Sequence, residues 1–495
     1  MEKRLLLGDE AIALGAIHAG LSGVYAYPGT PSTEITEYIQ AHSSIPSRWC
    51  ANEKTAMEAA LGMHSSQNEQ DSRFYGKFAM IPVFEPSTQQ EAYDMMAVAF
   101  DFSEAIKEPV LLRVVTRLAH SRASVEVREP REQNAMHPST DQWVLLPGIA
   151  RKKYDVLIEK QEQMLMSSNK SQFNASEYTD YAEKSEKTGI VACGIGYNYV
   201  KEALAQLPED KRKLYNVEKV SQYPLPEQCI QMLARESGKL LVVEDGQPVV
   251  EQDVKALLGT GYIVTGRLTG ALPRTGELTP DSVAAALGVE APQLMAPAKN
   301  LAGRPPQLCQ GCGHRDVYAA LNKVAEEYPD HRIFGDIGCY TLGALPPFKA
   351  LSSCVDMGAS ITMAKGAADA GLFPAIAVIG DSTFTHSGMT GLLDAVNDKS
   401  NIVVVISDNL TTGMTGGQDS AGTNKFEAIC LGLGVEPEHV RVVVPLPKNM
   451  EEITKTIREE IEYNGVSVII PRRECIQTAA RHAREKAKAA KKANS

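Results

Sequence analysis

The chain has 495 residues, room for about three domains at roughly 150 residues each, and its 43% apolar and 22% charged residues are the balance of a globular protein. Disorder and collagen-like repeats are thereby excluded for the chain as a whole. Its 50 Lys and Arg against 61 Asp and Glu leave a net charge of −11, which disfavours nucleic acid or an anionic membrane as the main partner. The opening MEKRLLLGDE puts Asp9 and Glu10 where a signal peptide needs its apolar segment, and no apolar run reaches the roughly 18 residues that span a bilayer. A cytoplasmic, reduced protein is expected. Its nine cysteines then do not read as a disulfide framework, and only Cys309 and Cys312 form a tight pair.

Short β-branched runs alternate with longer helical patterns, which predicts an α/β protein with parallel sheets flanked by helices. GVYAYPGTPSTEI at 23–35 reads as an aromatic strand that breaks at Pro28 and Gly29. Thr30, Ser32 and Thr33 offer hydroxyls there and Glu34 opens a helix; taken alone, the stretch is also an ordinary capped helix start. WCANEKTAMEAA follows, with Glu53 just inside a predicted helix, where the helix dipole favours a carboxylate in any case. VLLRVVT at 110–116 predicts a strand, and LLRVVTRLAHSR sets Arg113, Arg117, His120 and Arg122 at or just after its end.

The polar stretch 152–187 has no strand-like run and marks a first boundary. A smaller βα segment extends from 189 to about 288, with strands at GIVACG (189–194) and LLVVED (240–245). Gly194 and Gly196 in VACGIGYNYVKEAL are too little for a dinucleotide loop and read as helix–strand packing. EAPQLMAPAKNLAGRPPQL suits a surface connection and is the second boundary. A larger βα domain then runs from 308 to about 476, and the end, ARHAREKAKAAKKANS, reads as a solvated basic helix with a frayed tip.

The most informative stretch is AVIGDSTFTHSGMTGLLDAVNDKSNIVVVISDNLTTGMTGGQ at 377–418. One strand ends at Gly380, Asp381 and Ser382, a helix is expected from about Ser387, and a second strand ends at Asp408 and Asn409. In a parallel sheet both strands deliver their polar ends to the carboxyl edge, where ligands bind, so Asp381 and Asn409 become neighbours. A carboxylate and an amide oxygen meeting beside glycine suit a hard cation such as Mg²⁺ that also coordinates phosphate oxygens. An ordinary αβ turn is the plainer alternative.

These residues resemble the thiamine-diphosphate signature, with Ser382 in place of its second glycine and Asp408 in place of its first asparagine. Together with LCQGCGHRD (308–316), GDIGCYTLG (335–343) and MGASITMAKG (357–366), they resemble the large (alpha) subunit family of indolepyruvate ferredoxin oxidoreductases over nearly the whole chain. The resemblance implies a pyrimidine-binding domain (1–170), a transketolase-C-like middle domain (186–290), a diphosphate- and Mg²⁺-binding domain (304–478) and a basic tail (479–495). It implies Asp381, Asn409 and the Thr411 carbonyl as Mg²⁺ ligands, and cofactor contacts from Gly29, Glu53, Gly338, Gly358, Gly380, Ser382 and Met414. Glu53 would hydrogen-bond the aminopyrimidine ring, Arg117 would clamp the substrate carboxylate beside His120, and Thr30 would line the same pocket. SSQNEQDSR at 65–73 also matches a family segment, without an assigned role.

The expected reaction is oxidation of an aromatic 2-oxoacid to acyl-CoA and CO₂, with coenzyme A as co-substrate, ferredoxin as electron carrier, and a smaller beta subunit in an α₂β₂ assembly. Cys309, Cys312, Cys339 and Cys475 could bind a [4Fe–4S] cluster; zinc with His314, or free thiols, are the other readings. A non-oxidative thiamine-dependent 2-oxoacid decarboxylase, and an inactive scaffold or regulatory subunit that retains the fold, are the rival functions. Two departures stand out. Relatives continue into a ferredoxin-like module where this chain has its basic tail, so electrons are expected to leave through a partner or soluble carrier. Relatives also place roughly 40 residues, about one βα unit, between the NEKTAMEAAL and SSQNEQDSR motifs, near positions 60–62 here. Either central strands are missing or the sequence omits a segment.

Overall fold

The computed structural model describes residues 3–21, 23–26, 28–29, 32–45, 47–49, 71–131, 144–180, 182–289 and 305–493. Thr30, Glu53 and the junction at 60–62 lie outside the described residues. The chain divides into two compact units, one drawn mainly from 1–296 and one mainly from 297–495.

In the first unit, Lys3–Leu7 pairs antiparallel with Arg122–Glu126, and the helix Gly8–His18 follows directly. Val83–Phe84 sits between Gln222–Tyr223 and Leu111–Leu112 in a three-stranded sheet. The run at 110–116 therefore yields only two strand residues, because the chain leaves the ladder at Arg113 and turns into the short helix Thr116–Ala119. A five-stranded sheet runs in the order Val264–Thr265, Lys239–Val243, Thr188–Cys193, Tyr215–Val220 and Ala175–Glu177, parallel except for the last edge. The polar stretch 152–187, read as strandless, holds most of the helix Pro147–Asn169 and that edge strand Ala175–Glu177. An edge strand tolerates polar residues on its open side, which is why it carried no apolar signal.

Asp9, on the first helix, is almost fully buried, and neither of its carboxylate oxygens meets a hydrogen-bond partner among the described residues. Burial, then Glu34 and Glu10, push its carboxyl up from 3.8 to about 7. The native state therefore holds a proton that the unfolded chain has already lost between about pH 4 and 7. Stability from this group falls as pH rises through that window and stays lost above it. Asp9→Asn is expected to raise the melting temperature by several degrees at pH 8 and by much less at pH 4.5, measured by calorimetry at both pH values.

The second unit is built on a six-stranded, fully parallel sheet. Its order is Ser353–Cys354, Arg332–Gly335, Ala375–Gly380, Ile402–Ser407, Val466–Pro471 and Val440–Val443. AIAVIG, IVVVIS and VSVIIP are buried at every position, as central parallel strands covered on both faces must be. Two apolar layers flank them. Val317, Leu321, Ile453 and Ile457 contribute to one, and Ile361, Phe384, Leu392 and Phe426 to the other. The basic end forms the helix Ile476–Ala493, exposed over 481–487. Among the described residues no helix is long and apolar enough to cross a membrane.

Candidate cofactor site at the carboxyl edge of the second sheet

Ala375–Gly380 and Ile402–Ser407 pair in register, Gly380 opposite Ser407, so their chains leave the sheet side by side. Asp381 Oδ2 and Asn409 Oδ1 both accept the backbone N–H of Thr411, each at 3.1 Å. The two distant side chains therefore converge on one donor. Asp381 Oδ1 also accepts Ser382 N–H at 2.6 Å, and the carboxylate is 3% exposed. Burial, followed by the negative charge of Asp408, pushes the Asp381 carboxyl up to about 7 against these N–H bonds. The helix expected from Ser387 instead begins at Asp381, through a π-helical segment Phe384–Gly388, and continues as Met389–Asn397. Thr383, Phe384 and Thr385 are buried, so packing holds a helix that β-branched and aromatic residues do not favour by propensity.

Asp408 points away from that convergence. Its Oδ2 accepts Arg472 Nε at 2.6 Å, and Arg472 also grips Glu427 through both terminal nitrogens. Leu410, between Asn409 and Thr411, has φ +63, a left-handed conformation that costs a non-glycine residue about 1 kcal/mol or more and folds the turn back on Asp381. Ser382 Oγ and Thr412 Oγ1 lie 2.7 Å apart, linking the two loops.

Asp336, which the sequence reading did not single out, closes the site from the next strand. It is fully buried and accepts the N–H groups of Gly358 and Ser360 at 3.1 Å, together with the Tyr340 hydroxyl. Burial raises its carboxyl to about 6. Its position right after Arg332–Gly335 is the strand-end signal that marked Asp381, so it was legible in principle. Gly358 has φ +95, and a methyl group built on it would lie 2.6 Å from Ser387 Cβ, so glycine is required where the helix Ala359–Asp369 starts. Gly338 precedes the 3₁₀ segment Cys339–Ala344, and Gly380 lies against the Tyr340 ring. Met414 is half-exposed on the loop after Thr411.

Cys309, Cys312, Cys339 and Cys475 line a single cavity with His314, Asn409 and Gly413. Burial and then the charges of Cys475, Cys312 and Cys309 push the Cys339 thiol up to about 12. His314 is buried, its Nδ1 lies 3.3 Å from Cys312 Sγ, and burial lowers its pKa to about 4. Among the described residues no three His, Cys, Asp or Glu side chains are grouped closely enough to hold a single metal ion.

Arg117 and His120 belong to the first unit. Arg117 is partly exposed, donates to Glu277 at 2.9 Å and lies over the Tyr199 ring. His120 Nδ1 stands 4.0 Å from Glu34. Arg113, by contrast, is buried and ion-paired to Glu85, which makes it a structural cation. Gly29 follows the strand Val24–Ala26 and is half-buried.

Residues 336–470 match the family described as thiamine pyrophosphate enzyme, C-terminal TPP binding domain. The indolepyruvate oxidoreductase subunit IorA of Archaeoglobus fulgidus is 36% identical over 555 residues, covering 96% of this chain and 86% of that protein. The chain belongs to the IorA family. The IorA proteins of Pyrococcus abyssi and Methanothermobacter thermautotrophicus are 33% and 32% identical, covering 96% of this chain and 86% and 87% of their own lengths. The aligned span with the Archaeoglobus IorA exceeds the 495 residues of this chain, so that relative carries internal residues with no counterpart here. Among solved structures, a 2-oxoglutarate:ferredoxin oxidoreductase from Magnetococcus marinus overlays 58% of this IorA-family chain and 65% of its own, at 14% identity and a TM-score of 0.46, and nothing is drawn from so partial a likeness.

Proposed function

We propose that this IorA-family chain is the catalytic subunit of a thiamine-diphosphate- and Mg²⁺-dependent arylpyruvate:ferredoxin oxidoreductase. An aromatic 2-oxoacid such as indolepyruvate, coenzyme A and two oxidised ferredoxins give acyl-CoA, CO₂, two reduced ferredoxins and a proton. A smaller beta subunit completes an α₂β₂ assembly. The observation that carries the reading is the convergence of Asp381 and Asn409 on one N–H at a parallel sheet's carboxyl edge, inside the stretch that matches a thiamine pyrophosphate binding domain.

Carboxylate, amide and carbonyl oxygens are the donors a hard divalent ion takes, and a cation beside the buried Asp381 offsets the desolvation of its charge. Asp381, Asn409 and the Thr411 carbonyl would hold Mg²⁺, and Gly358, Gly380 and Ser382 let backbone approach a diphosphate. Thiamine diphosphate, when bound, supplies the nucleophilic carbon and the electron sink. Glu53 would keep a proton at the aminopyrimidine ring, and Thr30 would line the substrate pocket. Arg117 would clamp the substrate carboxylate beside His120; its guanidinium is solvent-accessible, as that role requires. The three-domain assignment of 1–170, 186–290 and 304–478 belongs to the same proposal.

Cys309, Cys312, Cys339 and Cys475 would bind a [4Fe–4S] cluster, since four thiols on one cavity is the ligand set it needs, and it supplies a one-electron acceptor. Anaerobic reconstitution is expected to load about four irons and four sulfides per chain, and Cys339→Ser to lose them. Zinc bound at one ion per chain would instead assign the cavity to a mononuclear site with His314.

The assembled complex, assayed anaerobically with indolepyruvate, phenylpyruvate and pyruvate, is expected to reduce ferredoxin only when coenzyme A is present, with the aryl substrates preferred. Carbon dioxide release that ignores both coenzyme A and ferredoxin would identify a non-oxidative decarboxylase. Failure to bind thiamine diphosphate would identify a scaffold.

A further inference from the structure

The basic C-terminal helix Ile476–Ala493 has no part in the reading above, yet it is fastened to the loop that frames the proposed diphosphate site. Arg481 donates to the carbonyl oxygens of both Gly416 and Gly417, the latter at 2.8 Å. The fit is close. Gly416 and Gly417 have φ +123 and +87, and a methyl group built on Gly417 would lie 2.9 Å from Thr478 Oγ1 and 3.1 Å from Arg481 Nη2. One planar guanidinium therefore spans two adjacent carbonyls that only glycines can present in this conformation.

The loop passes that restraint inward. Gly417 N–H donates to the Thr412 carbonyl at 3.0 Å, and Thr412 N–H donates to the Gln418 carbonyl at 2.9 Å. Thr411 Oγ1 donates to the same Gln418 carbonyl at 2.9 Å. Thr411 N–H is the donor shared by Asp381 and Asn409. At the helix's other attachment, Cys475 N–H donates to the Asn409 carbonyl at 3.0 Å. The turn carrying Asn409 and Thr411 is thus held at both ends by one helix.

We infer that Arg481 is a positioning residue for the diphosphate and Mg²⁺ site, latching the loop 411–418 so that its ligand atoms are set before the cofactor arrives. The inference rests on the thiamine-diphosphate reading. Because coupling between two equilibria is reciprocal, cofactor binding must also hold the helix in place.

The test uses the full chain. Thiamine diphosphate with Mg²⁺ is titrated by calorimetry into the wild type, Arg481→Ala and Arg481→Lys, and each is digested with trypsin with and without the cofactor pair. Arg481→Ala is expected to weaken binding about five- to tenfold, with kcat at saturating cofactor within about twofold of wild type. Lysine, a point charge able to serve one carbonyl well, should recover part of the loss. Cofactor should slow tryptic cutting after Arg484 and Lys486 in the wild type and lose that protective effect in Arg481→Ala. Equal affinities in wild type and Arg481→Ala, or tails cut at the same rate with and without cofactor, overturn the latch while leaving the cofactor reading in place. A wild-type chain that does not bind thiamine diphosphate overturns both.

Discussion

Asp381→Asn is expected to lower thiamine-diphosphate-dependent turnover by more than about 100-fold, since even outer partners of metal ligands typically cost roughly 10- to 100-fold. Asparagine keeps one oxygen, which can accept the N–H of Ser382 or that of Thr411 but not both, since these two bonds use different carboxylate oxygens. What it removes is the formal negative charge among the proposed donors. Steady-state rates across a Mg²⁺ titration measure the loss. A melting scan without cofactor supplies the control: removal of a nearly dry charge and loss of one N–H acceptor oppose each other, so the variant should melt within about 5 °C of the wild type. Turnover retained within a few-fold would remove the Asp381 role.

Arg73→Met should have the largest effect on folding, a loss of about 3–5 kcal/mol. Arg73 is 2% exposed and lies 2.6 Å from Asp71, 2.9 Å from Glu244 and 3.8 Å from Glu85, and it also donates to the carbonyls of Asp245 and Gln247. Removing it leaves buried carboxylates that Arg113 alone must balance. Urea unfolding at pH 7 gives the loss directly. The same cluster predicts an acid limb. Burial raises Asp71, but Arg113 and Arg73 more than reverse this and bring its carboxyl down to about 2. Its stabilisation is therefore present above the ordinary carboxylate pKa near 3.8 and is lost as pH falls from there toward 2.

That cluster also shows what the sequence could not disclose. Asp71 and Arg73 sit in SSQNEQDSR, a segment whose matching letters carried no role, and three of their partners, Glu244, Asp245 and Gln247, lie more than 170 residues away. No periodicity encodes such a pairing. The strands that end at Gly380–Ser382 and at Asp408–Asn409 were legible because buried parallel strands are written as unbroken β-branched runs, and the observed spans Ala375–Gly380 and Ile402–Ser407 stop within two residues of the expected ends. Asp381 and Asn409 were legible for the same reason, since their place follows from where those strands stop. The helix start at Asp381 was not, because STFTHSG is rich in loop and strand formers and only its burial makes it helical. Of the cysteines, spacing singled out Cys309 and Cys312, whereas bringing Cys339 and Cys475 to the same cavity took the fold of the whole second unit.

Gly413 brings the cofactor loop against the thiols, lining one cavity with them and with Asn409. A methyl group placed there would lie 3.4 Å from the sulfur of Cys339 and 3.8 Å from both the sulfur of Cys475 and the Asn409 amide nitrogen. Oxidation or alkylation of either sulfur would add bulk in the cavity that Asn409 and Gly413 also line. Air exposure during purification is therefore expected to lower the vitamin content of the purified material.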